Sequence, residues 1–311
     1  MTASFCRKVF RKIYRIFSVT YAKAKINLSW LVCSKLRGWR GVTDEDYGRQ
    51  LIISLTSFPP RINTVHKTIQ SLMLQTMKAN KITLWLAEDE FPDRDNELPD
   101  ELLNLKSYGL EIHYCKNLRS FKKLIPALKL FPDANIITAD DDLYYRDSWL
   151  KALYDEHVRH PEDLCVHRIT KFYIDENGEF RIIGGGYDTY SCGASYLHKL
   201  SGGAGAFYCP NIFHADVMKE ELFMTLCPTS DDIWFWLMAV LNHVKIRAAE
   251  NNYAHLALAY VGKTQKGPRL CDINDKGEKL FWKHFYNILN HYPQLEEILR
   301  EEYKRLSKAG A

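Results

Sequence analysis

Four short apolar runs, separated by segments of helical character, constrain this chain most. The runs are Leu51–Leu55, Lys81–Leu86, Leu110–Tyr114 and Asn135–Thr138. Between them, Ile62–Gln75 carries apolar residues at 62, 65, 69 and 72, Leu98–Tyr108 is closed by Gly109, and Lys122–Leu130 forms a third helical stretch. Short runs of this kind, bounded by turn and acidic residues, read as strands. The alternation predicts an α/β fold: a mostly parallel central sheet with helices on both faces. Ligands of such sheets bind at the carboxyl ends of the strands. Three of the four runs end there in polar or acidic clusters: Thr56-Ser57-Phe58-Pro59-Pro60, Glu88-Asp89-Glu90 and Ala139-Asp140-Asp141-Asp142.

After a helix over Trp149–Arg159 the rhythm changes. Leu164–Arg168 and Phe172–Ile174 read as short strands, and Asn177-Gly178 is a hairpin signal. Residues 184–206 are rich in Gly, Ser and Tyr and read as a mobile or substrate-shaped loop region. Ile233–Leu241 reads as a buried helix, and Lys279–His291 and Leu295–Leu306 as closing helices. No linker or internal repeat interrupts residues 45–311. The expected organisation is an arm over 1–45 and a catalytic domain over 46–311. Within that domain, 46–150 forms a nucleotide half and 151–311 an acceptor half.

The acidic triplet Asp140-Asp141-Asp142 is the strongest chemical signal. Three adjacent carboxylates raise one another's pKa unless a cation neutralises them. Their oxygens suit Mg²⁺ or Mn²⁺, ions that commonly bridge to substrate phosphates. In extended backbone, side chains alternate sides, so Asp140 and Asp142 converge while Asp141 points elsewhere, toward a sugar hydroxyl. The bland alternative, a helix cap ahead of Trp149, needs one carboxylate and not three.

A second pair, Asp231-Asp232, opens the apolar helix. One Asp, or Ser230, suits a cap; the other can face the cleft as a general base, and Asp232 is the preferred base. Ser201–Tyr208, with Gly202 and Gly203, permits close approach of a ligand to backbone. Lys122 and Lys123 either face a diphosphate or form a solvated helix start. His255 and His167 are each either a further metal ligand or a satisfied core residue.

Charge is unevenly spread. Residues 1–40 hold ten of the 42 Lys and Arg and none of the 38 Asp and Glu. Phe5, Val9, Ile13, Ile16 and Phe17 share one helical face, opposite Arg7, Lys8, Arg11, Lys12 and Arg15. This basic amphipathic helix fits an anionic membrane surface; packing on the body by its apolar stripe is the alternative. The uncharged stretches in the arm fall well short of the ~20 residues that a spanning helix needs, and no secretory cleavage site stands out. The rest of the chain offers no basic surface for nucleic acid. Eight scattered cysteines without a C-x-x-C pair suit a reducing compartment.

Several segments resemble a group of bacterial surface-polysaccharide glycosyltransferases, a branch of the GT-A superfamily close to glycosyltransferase family 2. They are Ile53–Ile62, Thr68–Leu72 with Gln75-Thr76, Ile82–Glu90 with Phe91-Pro92, Lys122–Leu128, Ile136–Tyr145 and Asp231–Trp234. The similarity runs over roughly residues 50–260. It implies a GT-A (Rossmann-like) fold, a nucleotide-sugar donor and a divalent metal held by Asp140 and Asp142. It also implies transfer to a growing glycan. Thr56, Ser57 and Arg61 fall on the nucleotide-contacting first loop, and Asp232 falls near the usual base. The family pattern has Glu-Asp where this chain has Asp231-Asp232, which leaves the base and the stereochemistry open. Glu88 or Asp89 is a candidate reader of uracil.

The expectation is therefore a metal-dependent transferase using a donor such as a UDP-sugar and a lipid-linked or oligosaccharide acceptor. It would sit in the bacterial cytosol, peripheral on the inner face of the inner membrane. Two alternatives compete. A metal-dependent nucleotidyltransferase would be expected to carry a glycine-rich phosphate loop after the first strand, where Thr-Ser-Phe-Pro-Pro-Arg stands instead. A non-catalytic membrane adaptor would have little reason to keep the acidic triplet.

Overall fold

The computed structural model describes residues 20, 21, 23–183, 192–250, 252 and 280–309. The basic segment over 5–17 and His255 lie outside the described residues.

The chain enters through a helix over residues 23–33, α1. Strands β1 (Leu51–Thr56), β2 (Lys81–Ala87), β3 (Leu110–Cys115) and β4 (Asn135–Ala139) follow, with β1 pairing in parallel with both β2 and β4 and β2 pairing with β3. Helix α2 (Ile62–Met73) crosses between β1 and β2, and α3 (Asp100–Leu103) precedes β3. Helices α4 (Ile125–Leu130) and α5 (Trp149–Arg159) flank β4. The α/β expectation is borne out: the sheet is mostly parallel and helices flank it. Two expected helices are shorter than their apolar patterns. Leu98–Tyr108 divides into α3 and a 3₁₀ turn over Asn104–Tyr108. Gly109 then closes it at φ 106°, a left-handed conformation that glycine accepts without strain. Lys122–Leu130 becomes a 3₁₀ turn over Arg119–Lys123 followed by α4, because Pro126 has no N–H to extend the ladder backward.

The second half completes the same sheet. Its strands are β5 (Leu164–Val166), β6 (Ile169–Ile174), β7 (Phe180–Ile182), β8 (Cys192–Ser195), β9 (His198–Leu200), β10 (Ala206–Tyr208) and β11 (Ile246–Ala248). The large sheet runs β3-β2-β1-β4-β10-β5-β11-β8, and β7-β6-β9 form a small one. The β6–β7 hairpin turns at Asn177-Gly178, as the sequence signals. The loop reading of 184–206 is corrected over 192–206, where strands too short to show a period form β8, β9 and the start of β10. Residues 184–191 lie outside the described residues.

Helices α6 (Glu220–Leu226), α7 (Asp231–Leu241), α8 (Leu280–His291) and α9 (Gln294–Ala309) finish the chain. One core lies between the sheet and α2, α3 and α5, gathering Ile53, Leu55, Leu84, Ile69 and Trp149. The other gathers Ile136, Trp85, Phe121, Phe285 and nearly all of α7. Strands at the centre of the sheet donate side chains to both cores, which is why the runs are apolar at consecutive positions.

Candidate active site

The parallel register sets the site. Ser54 lies opposite Thr138 and Leu55 opposite Ala139, so Thr56 and the acidic triplet leave the sheet side by side. On the other side of β4, β10 runs antiparallel and pairs Ala206 with Thr138. Residues just before β10 therefore return to the carboxyl end of β4. This brings Gly202 and Gly203 against the triplet, a proximity invisible in a linear reading.

Asp140 is the open member of the triplet, with about 42% of its side chain accessible. Gly203 packs so closely on it that a Cβ there would overlap the carboxylate. Buried Tyr145 ties the two together: its hydroxyl donates to Gly203 O at 2.6 Å and accepts from the Asp140 N–H at 2.7 Å. Asp142 lies 3.1 Å from the Arg61 guanidinium. Asp141 is turned into the protein, which corrects the expectation that it faces a sugar hydroxyl. The Ser57 hydroxyl and Arg61 donate to its carboxylate at 2.6 and 2.5 Å, and the Thr68 hydroxyl donates to its carbonyl at 3.0 Å. Burial pushes the Asp141 carboxyl upward, against the pull of Arg61 and Ser57. Ser57 and Arg61 thus brace the acidic turn from the first loop. Thr56 donates its hydroxyl to Trp85 O at 2.8 Å, bracing that loop on β2.

The second acidic pair completes the cluster from the first turn of α7. Asp231 is buried and lies 3.0 Å from the Lys123 ammonium, which also lies 3.3 Å from Asp140. Burial alone would lower the Lys123 pKa, but Asp231, Asp140 and Asp232 outweigh it and raise it well above the ordinary value. Lys123 is therefore a fixed internal cation, and the reading of the two lysines as a solvated helix start is corrected. Lys122 is equally buried but turns to Glu90 at 2.9 Å, away from the triplet. Asp232 accepts from the Gly202 N–H at 3.0 Å, and Lys199 stands 3.9 Å from its other oxygen. Its side chain keeps about 30% of its surface accessible. Burial first, then the Asp231 charge, raises its pKa. The expected helix cap is absent: Ser230 makes no capping bond and instead meets His284 Nδ1 at 2.8 Å.

Three expected residues sit elsewhere. His167 is fully buried in the core, its Nε2 at 2.9 Å from Trp149 O. Glu88 pairs with Arg94, and Asp89 accepts from Asn117, both on the surface beyond β2. Tyr145 and Lys199 are the site residues that sequence reading missed. A second tyrosine just past the acidic triplet and a lysine inside a three-residue strand give no signal that separates them from core and surface.

The cluster thus presents two accessible carboxylates, Asp140 and Asp232, on a floor of buried ion pairs, with glycine backbone between them. Such a floor holds the acidic groups in place, with Asp140 and Asp232 left open to solvent.

No protein-family model matches the chain, and no curated protein matches it. Solved structures do. The S. aureus TarS 1-349 structure in complex with UDP-GlcNAc is similar with a TM-score of 0.50 at 14% identity, over 81% of this chain and 71% of that one. The same TarS fragment without that ligand gives 0.49 at 14% identity, over 84% and 73%. At this identity the likeness is one of fold.

Proposed function

We propose that this chain is a glycosyltransferase that moves a sugar from a nucleoside-diphosphate sugar, with uridine as the favoured base, to a hydroxyl of a glycan or lipid-linked acceptor. The observation that carries the reading is the convergence of Asp140, Asp142, Asp232 and Gly202-Gly203 at the carboxyl end of β4, where α/β sheets bind ligands. The complex of the similar TarS fragment with UDP-GlcNAc agrees with the donor class.

The residues fit a divalent cation. Mg²⁺ and Mn²⁺ take hard oxygen ligands, and Mg²⁺ is typically bound by one or two carboxylates plus substrate phosphates. Asp140 offers an accessible carboxylate, and Asp142 stands on the same turn, beside Arg61. These two would hold the ion. When bound, it would supply charge neutralisation to the diphosphate that departs.

The chain's own groups supply the rest. Asp232 takes the proton of the acceptor hydroxyl as its oxygen bonds to the anomeric carbon and the bond to the diphosphate breaks. Its raised pKa strengthens it as a base. The Gly202 N–H holds the carboxylate in place through Oδ1, leaving Oδ2 for the proton. Lys123 offsets the Asp231 charge, so that it does not add to those of Asp140, Asp142 and Asp232 in opposing the incoming diphosphate. Glycines at 202 and 203 let Asp232 and Asp140 pack directly against backbone, where a Cβ would crowd the one and overlap the other.

Calorimetric titration with uridine diphosphate, with and without Mn²⁺, followed by a screen of nucleotide sugars for metal-dependent hydrolysis, tests this reading. Binding strengthened by Mn²⁺ and lost in Asp142→Ala is expected. Failure of every nucleoside diphosphate to bind the folded chain would refute it.

A further inference from the structure

Helix α1 has two faces, and among the described residues only one of them is packed against the body. Ile26 packs with Tyr144 and Leu74. Trp30 meets Trp39 and Tyr108 edge-on, at 5.5 and 5.2 Å between ring centroids. Lys25 pairs with Asp147 at 2.7 Å, and Lys23 lies over the Tyr144 ring. The opposite face carries Leu28, Leu31 and Val32, 64%, 57% and 55% exposed, and Leu36 at 56% continues it past the helix end. Large apolar side chains gathered on one stripe are unlike the singly scattered ones of an ordinary surface.

We infer that this stripe docks on a bilayer carrying anionic headgroups, with Leu28, Leu31, Val32 and Leu36 entering the boundary between headgroups and acyl chains. The charge of the surroundings selects that occupant. Residues 1–40 contain ten Lys and Arg and no Asp or Glu, and Lys35, Arg37 and Arg40 stand exposed beside the stripe. Lys25 pairs with Asp147 and Arg40 with Asp44, but no acidic residue within 1–40 offsets the remaining positive charge, so the stripe matches an anionic interface better than a second copy of itself. Among the described residues no helix is long and apolar enough to cross a membrane.

The placement has a functional consequence. The inner face of α1 rests on Tyr144 and Asp147, in the segment that leaves the acidic turn. A bilayer under the outer face would thus be joined to the acidic turn through α1, Tyr144 and Asp147. The inference goes beyond the proposed sugar transfer and does not require it.

Flotation of the full chain with phosphatidylglycerol vesicles, and separately with phosphatidylcholine vesicles, tests it. The chain should float with the anionic vesicles, less at high salt, and not with the zwitterionic ones. The triple variant Leu28→Gln, Leu31→Gln, Val32→Gln should lower the vesicle partition coefficient by at least roughly tenfold while its melting temperature stays near that of the wild type. A folded variant that floats like the wild type overturns the inference. So does a wild-type chain that binds no vesicles and sediments as a dimer, with the variant monomeric, since a second copy would then cover the stripe.

Discussion

The buried ammonium of Lys123 offers a demanding test of the candidate site. Replacing it with methionine keeps an unbranched chain of similar length and removes the charge. Lys123 lies 3.0 Å from Asp231 and 3.3 Å from Asp140. At an effective dielectric constant of about 20, each attraction is about 5 kcal/mol in gross terms. Desolvation of the ammonium and carboxylates offsets much of that sum. The two carboxylates respond differently to the loss of the charge. Asp140, about 42% accessible, recovers hydration once the lysine is gone, whereas Asp231, about 8% accessible, does not. The net loss is therefore that of one stranded buried charge, about 3–5 kcal/mol. For a chain of this size, at about 2.1 cal/mol/K of unfolding entropy per residue, that corresponds to a melting temperature lower by about 5–8 °C. The assay is thermal unfolding of Lys123→Met, Asp231→Asn and the double variant. The double variant should recover much of the loss, because neither charge is left alone, and the coupling between the two sites should exceed about 1 kcal/mol. A single variant Lys123→Met that melts within about 2 °C of the wild type would show that the ammonium is not the counter-charge of Asp231.

Gly203→Ala should leave the sheet intact but displace Asp140, since a Cβ at 203 overlaps that carboxylate; turnover should fall about 100-fold, by the cost of moving a catalytic group by ~1 Å. Wild-type turnover in that variant would remove Asp140 from the mechanism. Burial and the neighbouring Asp231 raise the Asp232 carboxyl above its ordinary 3.8. A carboxyl of higher pKa in the folded chain binds its proton more tightly there, so its contribution to stability is full below 3.8 and is lost as pH rises through the raised value. Asp232→Asn should accordingly raise the melting temperature at pH 7 and lose that advantage in acid, and a gain independent of pH would contradict the assignment.

The sequence alone determined the alternation of strands and helices. The runs at 51–55, 82–86 and 136–137, apolar but for Ser54 and Thr83, suit strands buried on both faces, and their alternation with helical segments implies a layered α/β architecture. It also located the acidic triplet and the second acidic pair, because charge at the end of an apolar strand is a local feature. What it did not determine is which groups face one another. Asp141 looks equivalent to its neighbours in the sequence, yet it points inward, because Ser57, Arg61 and Thr68 arrive from the adjacent loop and helix. Lys123 looks like a surface lysine, yet the acidic turn and α7 surround it with three carboxylates, beside a second core.

The antiparallel entry of β10 made the largest difference. It carries Gly202 and Gly203 back to the end of β4, some sixty residues away along the chain, through one three-residue pairing. Strands that short have no period to read, and their pairing depends on hydrogen bonds between segments distant in sequence. Local pattern therefore determined the elements, while contact across the sheet decided which carboxylates stay open to a ligand and which are neutralised within the fold.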